Sequence, residues 1–310
     1  PEIASATNAD QTKWYAVSNV TVTFSTHGVV PVDGYGVVVD QTSGTEAPKE
    51  VTTKDPQATF GDLKDGTWFV HVRAVGDNGL WSDTSTFQVN LDRAPLTVTT
   101  PKFSAFYFNP HFFTQDVWFD VSRAASVDVQ IGPAAGSKPV RTLHADPDKA
   151  GEVDVSWDGK DQTGAFAPAG PYVYTVVATT SHGQKASSQA SNVGVTDDRI
   201  VVSLSKQTLT AYEGDHAVLQ SLVTTGNAAL PTPVGVFPVL AKYHPFTFHS
   251  PWPKGNPYWY ADSPVTYAML FDNAGYFIHD APWRRDFGPG SNGRLGTPGQ
   301  DYTGTHGCVN

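Results

Sequence analysis

Only 16% of the 310 residues are charged, while 28 glycines and 23 prolines punctuate the chain. That balance suits short strands and tight turns and argues against long surface helices. A formal net charge of −10 argues against nucleic acid as a partner, because phosphate binding needs clustered Lys and Arg, and it argues equally against bulk attraction to anionic lipid or anionic wall polymer. No run reaches the ~20 apolar residues of a membrane span.

The length allows about two or three domains, and the composition predicts an all-β or largely β protein. Residues 1–97 show the period-2 apolar alternation of half-buried strands. The runs are Val20–Phe24, Tyr35–Val39 and Trp68–Val75, with turn signals at Asp33-Gly34, Asp65-Gly66 and Asn78-Gly79. Trp68, His71 and Trp81 are read as packing or surface residues, not as a ligand site. Prolines 95 and 101 mark a short linker.

A second β unit occupies 98–196, with strands expected at Val117–Val121, Val127–Ile131 and Tyr172–Val177. Its Trp157-Asp158-Gly159-Lys160-Asp161 stretch predicts a tight loop. Asx-turn capping is the expected role of Asp158 and Asp161, and a calcium site is the alternative, for which EF-hand spacing is missing.

Residues 197–310 begin with a predicted hairpin, Ile200–Ser205 and Thr208–Tyr212, and a strand at Val218–Val223. Pro231, Pro233 and Gly235 mark a loop before Val236–Leu240. The stretch 243–263 reads as a long aromatic insertion, with His244, His249, Trp252, Tyr258, Trp259 and Tyr260. Without secondary structure of its own, such a loop serves as a lid or substrate wall. A hairpin follows, Tyr267–Phe271 and Tyr276–His279, ending on a histidine. Cys308 near the end of the chain is the single cysteine. His306 precedes it by two positions, and Gly307 between them has no Cβ to keep a substrate carbonyl from the backbone N–H groups. Nucleophile, imidazole and oxyanion donors in one stretch point to acyl transfer.

Thr305-His306-Gly307-Cys308-Val309-Asn310 resembles the signature of the YkuD-type L,D-transpeptidases, with His279 as the upstream histidine. Thr224-Thr225-Gly226, Thr232–Phe237 and Lys206–Tyr212 extend the likeness over about the last third of the chain. Residues 63–82 resemble fibronectin III-like or immunoglobulin-like bacterial surface modules, and 157–172 resemble the immunoglobulin-like module of flagellar hook-capping proteins. The implied architecture is two β-sandwich modules followed by a β-rich catalytic domain over 197–310. The family has a further strand and short helix after the motif, so that domain is expected to be incomplete at its C-terminal end.

The resemblance implies a peptidoglycan cross-linking enzyme that forms 3→3 links through a thioester on Cys308, with carbapenems as covalent inhibitors. His279 is then the base, His306 orients the site or tunes the thiolate, and the N–H groups of Gly307 and Cys308 hold the oxyanion. Either a backbone carbonyl near Asp280 or the Asp280 side chain orients His279. Asp280, Thr305, Asn310, Tyr258, Trp259 and Arg284 are expected to bind substrate. Arg285, Arg294 and Trp283 join Arg284 as candidates for substrate carboxylates, against a plain solvated flap. No metal or organic cofactor is implied. The expected partners are peptidoglycan stem peptides, with other wall polymers as candidate ligands of the first two modules, in a secreted, wall-associated protein. A zinc site on His279, His306 and Cys308 with His244 or His249, a sortase, and a non-catalytic wall-adhesion protein are the competing readings.

Overall fold

The computed structural model describes residues 1–28, 30–293 and 304–310. Among these there is no helix, and none therefore long and apolar enough to cross a membrane. Strands with one apolar face must bury it against a second layer, and the buried side chains here fall into separate clusters along the chain.

The first cluster joins a three-stranded and a four-stranded sheet. Val20, Val22, Phe24, Val70, Val72, Phe87 and Val89 fill the space between them. Strand Gly66–Gly76 runs antiparallel to both Val32–Asp40 and Ser85–Leu91. Asp33-Gly34, expected as a turn, lies inside the strand at a register shift. A Cβ on Gly34 would stand 2.5 Å from Val51 Cγ1, so the glycine admits a crossing segment there instead of a reversal. His71 is a core histidine, with Nδ1 2.9 Å from Thr86 Oγ1 and Nε2 2.9 Å from the Thr42 carbonyl.

In the second cluster, Val117, Phe119, Val127, Val129, Ile131, Tyr174 and Val176 pack around a fully buried Trp157. The predicted strands extend to Gln115–Val121, Ser126–Gly132 and Gly170–Thr179, and six more described strands join them, among them Arg141–Ala145 and Gly151–Trp157. Trp157 ends one of these, and its indole N–H donates to the Lys160 carbonyl at 2.8 Å, closing the loop over the core. Asp161 caps that loop, its Oδ1 accepting from Thr163 N–H, Thr163 Oγ1 and Ala165 N–H. Those donors hold its carboxyl below the usual range, the Thr163 hydroxyl most strongly.

The two modules meet at Asp92, only 3% exposed. Arg123 Nη1 lies 2.7 Å and His182 Nδ1 2.8 Å from its carboxylate. Trp14 stacks on His182 at 3.6 Å with an interplanar angle of 10°. The carboxylate thereby ties one module to two elements of the next.

The last region holds smaller sheets. Arg199–Ser203, Thr208–Glu213 and His216–Leu222 form one antiparallel sheet, and Ala241–Tyr243, Ala268–Asp272 and Tyr276–His279 form another. Gln207 turns the first hairpin at φ 49°. The 243–263 insertion has secondary structure after all. Phe246–Phe248 pairs with Ser263–Val265, Phe246 opposite Val265, and the two phenylalanines pack on Phe277. The insertion is therefore a β-ribbon with an aromatic tip.

Candidate active site

The terminal motif is wedged between the two sheets of the last region. On one side Val309 donates its N–H to the Phe277 carbonyl at 2.8 Å, and His279 donates to the Val309 carbonyl at 3.0 Å. On the other, Asn310 and Thr224 exchange N–H···O bonds of 2.9 and 3.0 Å, and Thr305 N–H reaches the Thr225 carbonyl at 3.0 Å. The resulting Ile278–Val309 bridge is parallel. Side chains alternate across such a segment. Val309 and Ile278 face Leu209, Val223 and Phe271. Cys308 falls on the opposite face, against Phe277, Phe246, Phe248 and Val265. His279, two residues after Phe277, shares that face, and its ring centroid is 4.5 Å from that of Phe248. Nucleophile and base candidate thus project from one face of two hydrogen-bonded segments, with Phe248 beside both.

The electrostatics describe a neutral pair. Burial pushes the Cys308 thiol up to about 11, against a backbone hydrogen bond at Phe277 that lowers it. Burial also holds His279 below the ordinary imidazole range, opposed by the Asp280 carbonyl and the Asp280 charge. At neutral pH the thiol keeps its proton and the imidazole lacks one. His279 Nδ1 lies 2.8 Å from the Asp280 carbonyl. A carbonyl only accepts, so Nδ1 carries the hydrogen and Nε2 offers a lone pair. Of the two orienting groups expected, the backbone carbonyl makes this contact. The Asp280 carboxylate instead accepts the N–H groups of Thr266 (3.1 Å) and Tyr267 (2.6 Å). Burial works to raise that carboxyl, but those donors outweigh it and leave it lowered.

His306 is held under the aromatic tip of the insertion. Its Nε2 donates to the Tyr258 carbonyl at 3.0 Å, and its ring packs between Trp252 (5.4 Å) and Tyr260 (4.8 Å). Burial lowers its pKa, so it brings no positive charge to the sulfur and instead anchors the ribbon tip. Tyr258 contributes its carbonyl to this contact, while Trp259 lies under the Lys254 ammonium at 5.7 Å. Tyr260, which the sequence placed in the insertion without a role, belongs to the site. Burial first, and then charge on Cys308, push its phenol up to about 12.

Three further expectations change. Thr305 is 3% exposed; its hydroxyl donates to the Cys308 carbonyl at 2.6 Å and accepts the Gly307 N–H at 3.1 Å. It braces the turn from inside and is closed to substrate. The Gly307 N–H is therefore engaged, whereas among the described residues the Cys308 N–H makes no hydrogen bond. Arg284 is 4% exposed, and its Nη1 donates to the Asp286 carbonyl at 3.3 Å, so it is a buried strut and not an open carboxylate clamp. Arg285 is exposed, Trp283 lies 6.1 Å from the His279 ring, and Arg294 lies outside the described residues.

Thr232 opens one of the runs that extend the family likeness, but nothing in the sequence assigns it a role in the site. It accepts the Gly226 N–H at 2.9 Å and donates to the Gly307 carbonyl at 2.8 Å, linking the motif to the upstream Thr-Thr-Gly. Gln207 braces the same place, bonding both the N–H and the hydroxyl of Thr225 at 2.8 Å. Among the described residues no group of three or more His, Cys, Asp or Glu is arranged to hold a metal ion. Beside His279 opens a cavity of about 420 Å³, walled by Lys242, Tyr243, His244, Tyr267, Met269 and Asp280 among others.

Residues 197–310 match the family model of the YkuD L,D-transpeptidase catalytic domain, and residues 114–182 match that of the FlgD Ig-like domain. Among solved structures the chain is similar to an Enterococcus faecium L,D-transpeptidase in a cysteine-to-serine mutant form. That likeness has 32% identity and a TM-score of 0.31, covering 37% of this chain and 41% of that one. The chain thus spans about two-fifths of that protein's length. The NMR structure of the E. faecium catalytic domain is similar at 31% identity and TM-score 0.29, over 36% of this chain and 79% of that one. An L,D-transpeptidase from Mycobacterium smegmatis follows at 21% and 0.38, over 70% and 89%. No curated protein matches the chain significantly. The assignment of the C-terminal region rests on its family match.

Proposed function

From the premise that residues 197–310 carry a YkuD-type L,D-transpeptidase catalytic domain, we propose that the chain forms 3→3 peptidoglycan cross-links through a thioester on Cys308. The observation that carries this reading is the parallel bridge between Ile278 and Val309, which sets Cys308 and His279 on one face.

The reaction begins with a neutral pair. As Cys308 Sγ attacks the carbonyl of the third stem residue, its proton passes to His279 Nε2, and the Asp280 carbonyl on Nδ1 steadies the imidazolium that forms. The C–S bond forms, the C–N bond to the terminal D-Ala breaks, and the leaving amine takes the proton from His279. An amine of a neighbouring stem then attacks the thioester and passes its proton to His279. The new amide forms, the C–S bond breaks, and the sulfur takes the proton back. A thiol pushed up to about 11 is a weak nucleophile until a base acts on it, so general-base help during attack is the step on which the rate depends. The Cys308 N–H is the donor available to the oxyanion, and such a donor contributes roughly a hundredfold or more in comparable acyl transfers. The Gly307 N–H joins it only by turning away from Thr305.

The Tyr258–Tyr260 tip and its contact with His306 support a substrate wall beside the sulfur. The division at 1–97, 98–196 and 197–310 is supported by the separate cores, and the first two modules serve as spacers or wall-targeting units outside the cell. The test is incubation with a stem tetrapeptide and an amine acceptor. A mass adduct at Cys308 with release of D-Ala, followed by cross-linked product, supports the proposal. D-Ala release that persists in Cys308→Ala refutes it.

A further inference from the structure

Resting on the reading of Cys308 and His279 as nucleophile and base, we propose that the Asp280 side chain is the positioning residue that keeps His279 in its Nε2-acceptor form.

The last residues paired across this hairpin are Ala268 and His279. Asp280 is the next residue, and Ala281-Pro282 follow, where proline has no N–H to continue a ladder. A strand end of this kind frays unless something ties it down. Asp280 is tied to one dipeptide at three points. Its carboxylate accepts Tyr267 N–H at 2.6 Å and Thr266 N–H at 3.1 Å, and its own N–H reaches the Tyr267 carbonyl at 3.4 Å. With Cα and carboxylate both fixed, the carbonyl of the same residue stays on His279 Nδ1 at 2.8 Å. The anchor continues outward. The Thr266 carbonyl accepts His244 Nδ1–H at 2.7 Å, and the His244 ring stacks on Tyr267 at 4.5 Å and 11°.

The carboxylate has a second effect, because it is a negative charge one residue from the ring. The titratable groups around His279 are Asp280 on its own strand, Lys242, Tyr243, His244 and Tyr267 around the shared cavity, and Cys308 across the bridge. Among these the Asp280 charge opposes the effect of burial on the imidazole. Orientation and charge separate experimentally. Asn at 280 keeps one oxygen, enough for the Tyr267 N–H, and loses the oxygen that accepts from Thr266 together with the charge, whereas Ala loses both oxygens and the charge.

The test uses the full chain in wild-type, Asp280→Asn and Asp280→Ala forms. Imidazole 15N NMR reads the His279 tautomer, and intact-mass acylation by a stem tetrapeptide is followed between about pH 5 and pH 9. In the wild type His279 is held as the Nδ1–H tautomer. Asp280→Asn retains that tautomer but moves the acid limb of the pH–rate profile to lower pH. Asp280→Ala gives mixed tautomers and a maximal acylation rate roughly 10- to 100-fold lower, with half-saturation unchanged. Tautomer and acid limb identical to wild type in Asp280→Ala, with only the melting temperature lowered, would overturn the proposal. So would weaker half-saturation at an unchanged maximal rate, which marks a substrate contact. If the wild type forms no adduct, the functional reading fails, and the tautomer spectra alone decide the role of Asp280.

Discussion

Gly307→Ala tests how the terminal motif is held. Gly307 sits at φ +107°, and a Cβ there would stand 2.4 Å from Tyr276 Cε1 and 3.0 Å from its Cδ1. Carbon atoms at rest keep about 3.5–4.0 Å apart, so the ring must move by more than an ångström or the motif must shift. Tyr276 packs against the cluster of Leu209, Val223, Phe271 and Val309, and its ring is stacked 6.3 Å from Phe271, which leaves little room to yield. A side chain in this region of φ costs about 1–3 kcal/mol, and overpacking adds about 1–3 kcal/mol. The sum, about 2–6 kcal/mol, corresponds to a fall of about 8 °C or more in the Tm of the C-terminal transition, at roughly 4 °C per kcal/mol. The Cys308 N–H and Sγ follow Gly307 directly, so acylation should fall by about a hundredfold, the usual consequence of a 1 Å misplacement. Differential scanning calorimetry and intact-mass acylation measure the two effects. A variant with wild-type Tm and wild-type acylation would refute the account of the motif as rigidly seated.

Other outcomes follow from the same geometry. Alkylation of Cys308 by iodoacetamide should rise with pH toward about 11, where the buried thiol ionises; a plateau already reached at neutral pH would mean a preformed ion pair with histidine. His279 and His306 both have lowered folded-state values, so the unfolded chain binds more protons just below its ordinary histidine pKa of about 6.5. Stability contributed by these rings is present above that value and lost as pH falls toward the folded values, so the C-terminal transition should move to lower temperature on acidification from pH 7 to about pH 5. A transition that rises over that interval contradicts the burial of both rings. Asp92→Ala leaves Arg123 and His182 without their shared carboxylate and should cost about 1–3 kcal/mol at the junction, with the first two modules then unfolding separately in calorimetry. A single unchanged transition would show that the Asp92 carboxylate is not what couples them.

Strand identity was legible where one face is buried. The alternation in Val117–Val121 and Tyr172–Val177 is the alternation of their burial, because period 2 is a local property of the chain. Asp33-Gly34 misled because Asp-Gly is the commonest hairpin signal, while the glycine there answers to Val51, a contact from a remote segment. The aromatic insertion was misjudged for a similar reason. The pairing of Phe246–Phe248 with Ser263–Val265 closes over a long aromatic tip, which no short window contains. In the site, the motif singled out Cys308 and the hairpin end singled out His279, the two side chains that the structure sets on one face. The parallel bridge that joins them spans about thirty residues of sequence and has no local signature. Thr305 and Arg284 looked like ligand contacts because hydroxyl and guanidinium side chains are usually exposed. Both are buried instead and bond carbonyls of near neighbours, Cys308 and Asp286, and that burial comes from the packing of segments distant in sequence, which no local pattern shows.

The central claim is that one imidazole, aimed from the strand beside the motif, removes the proton from the sulfur during attack. Its most direct measurement is the single-turnover rate of acylation of the full chain by a stem tetrapeptide, wild type against His279→Ala, read by intact mass near pH 7. The account predicts a fall of about 10²- to 10⁴-fold in the variant, the range of general-base assistance, with the adduct still on Cys308. Equal rates in the two proteins would contradict it.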